Sequence, residues 1–322
     1  MKEQLANGVA GRSGFIIRLL GTLLAIGLLI YLLSQQGWGE IVLAVRQIPP
    51  TYLLLSLLLM FASRLAVTGR WHVLLRSGGL NISVGQSLRV TFSGLFATNF
   101  LPTTVGGDVI RLAGAMQLGF DGAISAASLV VDRLVGMTGM AMMLPFGVPA
   151  LLASPTSPIG FLKSHGIYLM SILPASLSKW LQRTWDKSIR IIHRIVSALS
   201  LWLKQPRALL VSLGFSWINM LGLFSILWLL FKGQNEEIPF LLIGGLYSLV
   251  YFVTLLPFSI NGLGIQELSM TFIFAHVAGV SMQSSLTVAL LFRTMMMIAS
   301  LPGAAFVPGL IAGAKTQPRV AE

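Results

Sequence analysis

The sequence lacks cysteine altogether, and only 10 of its 322 residues are acidic. The absence of cysteine excludes a disulfide framework, a thiolate metal site, an iron–sulfur cluster and a cysteine nucleophile. The four histidines are scattered and form no HExxH motif, so we expect neither a metal site nor another cofactor. No Walker motif, dinucleotide-binding fingerprint or nucleophile elbow is present either. The sequence therefore gives no indication of an enzyme or of an ATP-driven pump.

Charge of either sign is scarce. Charged residues make up 10% of the chain, against about 25% in a soluble domain. Hydrophobic residues make up 55%, and the mean hydropathy is +0.83. Because each membrane span needs roughly 20 apolar residues, a chain of this length has room for about six to eight spans. We predict an all-α fold, a polytopic membrane helix bundle formed by residues 1–322 as a single domain.

The charges that are present are mostly basic: 22 lysines and arginines against 10 acidic residues, a net charge of +12. Because no aromatic-rich basic module accompanies them, we expect no binding to nucleic acid. The excess instead indicates basic cytoplasmic loops and contact with anionic lipid. Arg12 and Arg18 flank the start of the first predicted span, Leu19–Gly39, and Lys315 and Arg319 follow the last. Both termini are therefore predicted to be cytoplasmic.

Two predicted membrane helices are interrupted. The apolar segment Ser83–Leu101 meets Pro102, and a Gly-Gly pair separates it from a second short segment, Val109–Leu118. The apolar segment Ile238–Leu256 likewise meets Pro257, followed by FSINGLGIQE. Proline and paired glycines break helices. Broken backbone at membrane depth is tolerated only where it is buried in protein or lines a cavity, so we predict two broken, re-entrant helices beside a cavity.

The two broken helices lie in passages that resemble each other. Proline, glycine, glycine and arginine recur in one order at offsets of 155 to 160 residues. The matched pairs are Pro102 with Pro257, Gly107 with Gly262, Gly119 with Gly279 and Arg133 with Arg293. We predict two pseudo-repeated halves, residues 15–152 and 208–311. An inverted orientation of the halves, which is typical of transporters, requires residues 159–174 to cross the membrane, and the sequence leaves that crossing open.

Residues 177–204 form a different kind of segment. Apolar residues recur at helical spacing, and five lysines and arginines fall on the opposite face. This pattern predicts a basic amphipathic helix that lies flat on the cytoplasmic leaflet. Two interpretations remain: the helix recruits anionic lipid, or it only links and anchors the two halves.

The candidate substrate-binding residues are the glycines and the charged residues of the broken helices and their neighbours. They are Gly106, Gly107, Asp108, Arg111, Asp132, Arg133, Gly262, Gly264, Glu267 and Arg293. A charge at the bilayer centre costs about 2.5–3.5 kcal/mol and is expected to face a partner or a watery cavity. In one interpretation, Asp108 with Arg111 and Glu267 with Arg293 are buried pairs that hold helices together. In the other, the arginines bind an anionic headgroup and the glycines expose backbone N–H groups to it.

Arg64 and Arg70 lie on the second predicted span, Thr51–Leu75. Long basic side chains on membrane helices can extend their charged ends towards the interface. We therefore interpret these two arginines either as snorkelling side chains or as part of the basic residues that set the orientation of the helix in the membrane.

Four short segments resemble sequence motifs of the lysylphosphatidylglycerol synthase transmembrane (flippase-like) family. They are LPTTVGGDVIR, ASLVVDRLVGM, LPFSINGLGIQE and GRWHVLL. The resemblance covers nearly the whole chain. It implies a flippase-like domain in which Asp108, Arg111, Asp132, Arg133 and Glu267 are functional. Asn261 departs from the second motif, where the family often has glycine. The soluble aminoacyl-transferase domain of bifunctional members would need a much longer chain, so we do not expect synthase activity.

The resemblance and the charged broken helices together predict a lipid translocase in the plasma (inner) membrane of a bacterium. It would move an anionic or amphiphilic lipid, or a lipid-linked precursor, between leaflets. The alternative is a non-transporting subunit that presents a lipid to a separate glycosyltransferase or lipid-modifying enzyme. An intramembrane enzyme is a third reading, although no nucleophile or metal set accompanies the carboxylates. Expected partners are membrane lipids with an anionic headgroup and, besides them, a lipid-modifying enzyme or a second copy of the chain.

Overall fold

The computed structural model describes residues 45–99, 106–154, 204–255 and 262–306, together with Leu23, Gly27, Ile30, Leu43 and Trp202. The regular elements of these ranges are all helical, as predicted. In chain order they are α1 Pro50–Ser77, α2 Val84–Thr98, α3 Gly106–Gln117, α4 Gly122–Ala141, α5 Leu144–Ala153, α6 Pro206–Gly233, α7 Phe240–Thr254, α8 Ile265–Val277, α9 Met282–Ser300 and a closing 3-10 turn, Leu301–Ala305.

Four of the described segments are long and apolar enough to cross a membrane. They are α1, α4, α6 and the continuous segment Met282–Ala305. Helix α1 matches the predicted span Thr51–Leu75, and α6 matches the uncharged run Ala208–Phe231, which the sequence likewise predicts to be a span. Each of the two helices begins with a proline. Proline suits this position because the first N–H groups of a helix have no partner within it. The chain is therefore an all-helical membrane protein.

The segment after α3 differs from the prediction. Residues 134–162 contain no charged residue, and this run alone predicts a span that ends near Leu152. Instead, α4 begins at Gly122, carries Asp132 and Arg133 in its interior and ends at Ala141, and α5 follows from Leu144. Pro145, in the first turn of α5, has no N–H to donate to the preceding turn, so α4 cannot continue through it.

Both broken helices consist of two short helices that pack against each other. Helix α2 ends at Thr98 and α3 begins at Gly106, while α7 ends at Thr254 and α8 begins at Ile265. Polar side chains cap the first turns of some of these helices. At the start of α2 the Ser83 side chain accepts from the Gln86 N–H and the Gln86 side chain accepts from the Ser83 N–H; at the start of α4 the Asp121 side chain accepts from the Ile124 N–H. These caps satisfy N–H groups that a helix end otherwise leaves without partners.

The contacts between helices follow one pattern in both predicted halves. Helix α1 packs along α6; α9 of the second half contacts α1, and α4 of the first half contacts α6. The short α5 that follows α4 packs on α7, and the 3-10 turn that follows α9 packs on α2. Two equivalent halves would produce this pattern, and the repeat itself stays a prediction.

Glycine allows two of these contacts to be made backbone against backbone. A Cβ on Gly147 of α5 would collide with the backbone of Gly245 in α7. A Cβ on Gly303, 156 positions later, would collide with the Phe92 carbonyl of α2. Small residues permit such close approach in membrane proteins, where van der Waals packing drives helix association.

The largest hydrophobic core lies among α1, α6, α7, α8 and α9. Aromatic rings fill its centre: Phe231 stacks on Phe274 at 4.9 Å between ring centroids, and Tyr247 meets Phe292 edge to face at 5.4 Å. This packed core forms one wall of the polar region described below.

Residues 159–174 lie outside the described residues, as does most of the predicted amphipathic helix 177–204. Of that helix the structure describes Trp202 and Lys204. Trp202 is buried and its Nε1 donates to the Leu74 carbonyl at 3.1 Å and to Ser77 Oγ at 3.0 Å. The segment before α6 is thus fixed to the end of α1.

Candidate functional site

Five charged side chains from three helices form one connected group, which we call the aspartate cluster: Arg70 of α1, Asp108 and Arg111 of α3, and Asp132 and Arg133 of α4. Asp132 is at its centre, 2% exposed. Its Oδ1 accepts from Arg70 Nε at 2.7 Å and its Oδ2 from Arg111 Nη1 at 3.1 Å. Asp108 accepts from Arg111 Nη1 at 3.2 Å and also pairs with Arg133 Nε.

Helix geometry brings these groups together. Asp108 and Arg111 are three residues apart on α3, so they lie on the same face. Asp132 and Arg133 are adjacent on α4 and point in different directions: Asp132 lies between Arg70 and Arg111, and Arg133 reaches Asp108 from a position that is 36% exposed. The cluster therefore joins α1, α3 and α4.

Arg111 is also held by an aromatic ring. Its guanidinium carbon lies 4.3 Å from the ring centroid of Trp71, and Trp71 Nε1 donates to Ser128 Oγ at 3.0 Å. An arginine stacked on tryptophan gains a favourable cation–π interaction, which is stronger away from water. This contact offsets part of the cost of burying the guanidinium.

A second group of polar residues lies at the start of α8. Glu267 is 2% exposed, and its Oε2 accepts from the Gly264 N–H at 2.8 Å. Its Oε1 lies 3.4 Å from Arg293 Nε of α9, and Arg293 Nη1 donates to Gln266 Oε1 at 3.2 Å. Glu267 thus connects the backbone at the second helix break to the arginine of α9. Both ion pairs considered from the sequence, Asp108–Arg111 and Glu267–Arg293, are present.

The four predicted glycines have different structural roles. Gly106 and Gly107 begin α3, and a Cβ on Gly107 would collide with Thr98 and the backbone of Gly94 in α2. Gly262 and Gly264 have φ of +68° and +77°, in the region that favours glycine. Gly107 therefore allows close packing of α2 on α3, and Gly262 and Gly264 shape the turn that leads into α8.

The assignment of Arg64 and Arg70 to snorkelling is wrong. Both side chains lie inside the bundle, 9% and 8% exposed. Arg70 pairs with Asp132 and also donates to Ser216 Oγ of α6 at 3.1 Å. Arg64 contacts Met60 Sδ through Nη2 at 3.4 Å. The reason is geometric: both side chains point into the bundle, where each lines one of the two cavities described next.

Two cavities lie beside these groups. The aspartate cavity, about 270 Å³, is lined by all five members of the aspartate cluster and by Ser216. The Arg64 cavity, about 260 Å³, is lined by Arg64, Arg293, Gln266 and Gly262. The two cavities share a wall formed by Val67, Met140, Asn219, Tyr251 and Leu255.

The wall between the cavities contains a polar contact between the halves. Asn219 of α6 accepts a hydrogen bond from Ser63 of α1 at 2.5 Å, and the two residues are 156 positions apart. Asn219 lines both cavities. The wall between the cavities is therefore not wholly apolar.

Among the described residues, positive charge is in excess at both cavities. The aspartate cluster contains three arginines and two aspartates. Arg64 and Arg293 line the Arg64 cavity, and the carboxylate of Glu267, which is not part of the described lining, is paired with Arg293. In a low-dielectric interior such an excess strongly favours an anion.

The structure brings six of the ten predicted site residues to cavity walls. Asp108, Arg111, Asp132 and Arg133 line one cavity, and Gly262 and Arg293 line the other. Gly106, Gly107, Gly264 and Glu267 are not in the described lining; of these, Glu267 pairs with the lining residue Arg293.

Sequence reasoning missed further lining residues: Arg64, Arg70, Asn219, Tyr251 and Gln266. A signal existed for the first two, because an arginine inside an apolar helix by default indicates a functional site. Asn219 also stands out as a polar residue within the long apolar run of α6.

The fold and the site define a class: an integral membrane helix bundle with two positively charged cavities next to broken helices. The chain belongs to the lysylphosphatidylglycerol synthase TM region family, whose model matches residues 18–303. This confirms the family resemblance and identifies a membrane protein of a family connected with lipid synthesis or handling. A search for similar curated proteins finds no match.

Proposed function

We propose that the protein moves an anionic or amphiphilic lipid, or a lipid-linked precursor, between the leaflets of a bacterial plasma membrane, with both termini in the cytoplasm. The observation that carries the proposal is the pair of adjacent cavities with excess positive charge. Most of the arginines that line them are buried in the helix bundle, where an uncompensated charge is costly unless a ligand balances it. Family membership supports a role with lipids.

The cavity size favours a headgroup. Drug-sized ligands occupy pockets of about 300–1,000 Å³, whereas these cavities have volumes of about 260 and 270 Å³. A lipid headgroup would enter a cavity while its acyl chains stay in the bilayer. Arginine suits a phosphate in such a place because its planar guanidinium donates two parallel hydrogen bonds.

Movement between leaflets would pass the headgroup from one cavity to the other. Met140, Asn219 and Tyr251 form most of the shared wall, so their side chains would have to move aside. At every stage the headgroup would face arginine: Arg64 and Arg293 on one side, and the arginines of the aspartate cluster on the other. The carboxylates hold those arginines in place, and we propose no catalytic chemistry for them.

The test is a leaflet-accessibility assay with the purified chain in phosphatidylcholine liposomes that contain a trace of fluorescent phosphatidylglycerol. Dithionite destroys the fluorescence of the outer leaflet only. We expect a second phase of quenching in proteoliposomes, as inner-leaflet lipid becomes accessible, and none in protein-free liposomes. Equal quenching in the two preparations would contradict a translocase and favour the alternative, a subunit that binds a lipid and presents it to a separate enzyme.

A further inference from the structure

Arg64 differs from the other cavity arginines in its partners. Arg70, Arg111, Arg133 and Arg293 each pair with a carboxylate, whereas Arg64 takes part in no ion pair among the described residues. Its contact is the weak one between Nη2 and Met60 Sδ at 3.4 Å. Yet Arg64 is more than nine-tenths buried and lines the Arg64 cavity. A buried cation without a counter-ion is costly, so its presence requires an explanation.

Among the described residues, the surroundings of Arg64 offer hydrogen-bond donors but no carboxylate that lines the cavity. Asn219 accepts from Ser63 through its oxygen, which leaves its amide nitrogen to donate. Tyr247 and Gln266 also line the cavity. Glu267 lies behind the wall and is engaged by Arg293 and by the Gly264 N–H. The segments 100–105 and 256–261, which adjoin the cavity helices in the chain, contain no aspartate or glutamate in their sequence.

The charges at the Arg64 cavity leave one positive charge to be balanced. We propose that the Arg64 cavity binds the single negative charge of a phosphodiester headgroup, with Arg64 as its counter-ion, and discriminates against headgroups that carry an ammonium group. In the part of the chain that the structure describes, an ammonium group at the cavities would find no available carboxylate, because Asp108, Asp132 and Glu267 are all paired with arginine. This inference rests on the proposed function in that it takes the ligand to be a lipid.

Arg64 as a ligand counter-ion has a distinctive effect on stability. Arg64→Met removes a buried charge and keeps an unbranched side chain. We expect the ligand-free variant to unfold at the same temperature as the natural protein or at a higher one, because an unpaired buried charge has been removed. A merely structural arginine would give the opposite result, a lower unfolding temperature.

Binding is measured on the full chain in detergent with four probes. Three are lipids: dihexanoyl phosphatidylglycerol, dihexanoyl phosphatidylcholine and lysyl-phosphatidylglycerol; the fourth is the soluble headgroup glycerophosphoglycerol. We expect phosphatidylglycerol to bind at least about tenfold more tightly than the two ammonium lipids, since charge-assisted hydrogen bonds are the strong ones. Equal affinity for all three lipids overturns the proposal. Equal affinity for glycerophosphoglycerol and phosphatidylglycerol overturns the part that assigns the site to a lipid.

Variants of α1 then test the role of Arg64. Arg64→Met is expected to lose the preference for phosphatidylglycerol, by about tenfold or more, and Arg64→Lys to keep part of it because the charge remains. Arg76→Met is the matched control, an exposed arginine of the same helix, and is expected to keep the full preference. An unchanged preference in Arg64→Met, or a lower unfolding temperature of the ligand-free variant, overturns the proposal.

These results are separable from those for the proposed function. If the natural protein moves lipid between leaflets but Arg64→Met keeps its preference, the inference about Arg64 fails and the translocase stands. If the binding results are as expected but no lipid moves, the Arg64 site stands and the protein is a lipid-presenting subunit.

Discussion

The substitution Asp132→Asn is expected to destabilise the protein by about 3–5 kcal/mol, the range for removing one partner of a buried ion pair. Asp132 is 2% exposed and holds both Arg70 and Arg111. Asparagine has nearly the same shape and can still accept a hydrogen bond, but it leaves the two guanidinium groups without a negative charge between them. The measurement is the free energy of unfolding from a denaturing-detergent titration, supported by the thermal midpoint.

Asp121→Asn provides the control for this prediction. Asp121 is exposed and caps α4 by accepting the Ile124 N–H, and asparagine caps helices about as well as aspartate. Its free energy of unfolding should therefore stay close to that of the natural protein. If Asp132→Asn costs no more than Asp121→Asn, the aspartate cluster does not hold α1, α3 and α4 together.

The second large effect is expected on transport. Arg111→Met should slow the movement of phosphatidylglycerol between leaflets by about tenfold to a hundredfold, because a charged hydrogen bond contributes about 1.5–3 kcal/mol. Removing Arg111 leaves two matched pairs, Arg70 with Asp132 and Arg133 with Asp108. The cavity loses its excess charge while each remaining charge keeps a partner. Methionine also preserves packing over Trp71.

Stability distinguishes the two variants. We expect Arg111→Met to keep a thermal midpoint near that of the natural protein, in contrast to Asp132→Asn. Arg89→Met is the control, since Arg89 is an exposed arginine of α2 and should affect neither transport nor stability. Normal transport by Arg111→Met would show that the excess charge is not used to bind the headgroup. A loss of stability as large as that of Asp132→Asn would contradict the charge balance described here.

The helix ends could be predicted because they depend on local chemistry. Long apolar runs led to α1 and α6, and Pro102 and Pro257 indicated the interruptions that separate α2 from α3 and α7 from α8. The extent of α4 could not be predicted in this way, because this helix contains charged residues in its interior. A search for charge-free runs begins after Arg133, whereas Asp132 and Arg133 are stabilised inside the helix by partners on α1 and α3.

The direction in which a polar side chain points could not be read from the sequence. In a membrane helix the lipid-facing and protein-facing sides are both apolar, so the pattern of hydrophobicity does not distinguish them. Arg64 and Arg70 therefore fitted an interfacial position as well as an interior one. Only the packing of α1 along α6 decides between the two. The same limit concealed Asn219, whose partner Ser63 is 156 residues away.

The most direct test of a positively charged, hydrated space between the halves uses cysteine labelling, because the natural chain has no cysteine. Val67→Cys places a thiol in the wall shared by both cavities, and Leu65→Cys places one at a 53% exposed position of the same helix. The reagents are an anionic and a cationic methanethiosulfonate of similar size, applied to the protein in proteoliposomes.

We expect Val67→Cys to react, faster with the anionic reagent than with the cationic one, and more slowly when phosphatidylglycerol is present. Leu65→Cys, facing the acyl chains, is expected to react with neither, since charged reagents do not enter hydrocarbon. If Val67→Cys is as unreactive as Leu65→Cys, or prefers the cationic reagent, no anion-binding space exists between the halves and the proposed route for the headgroup is wrong.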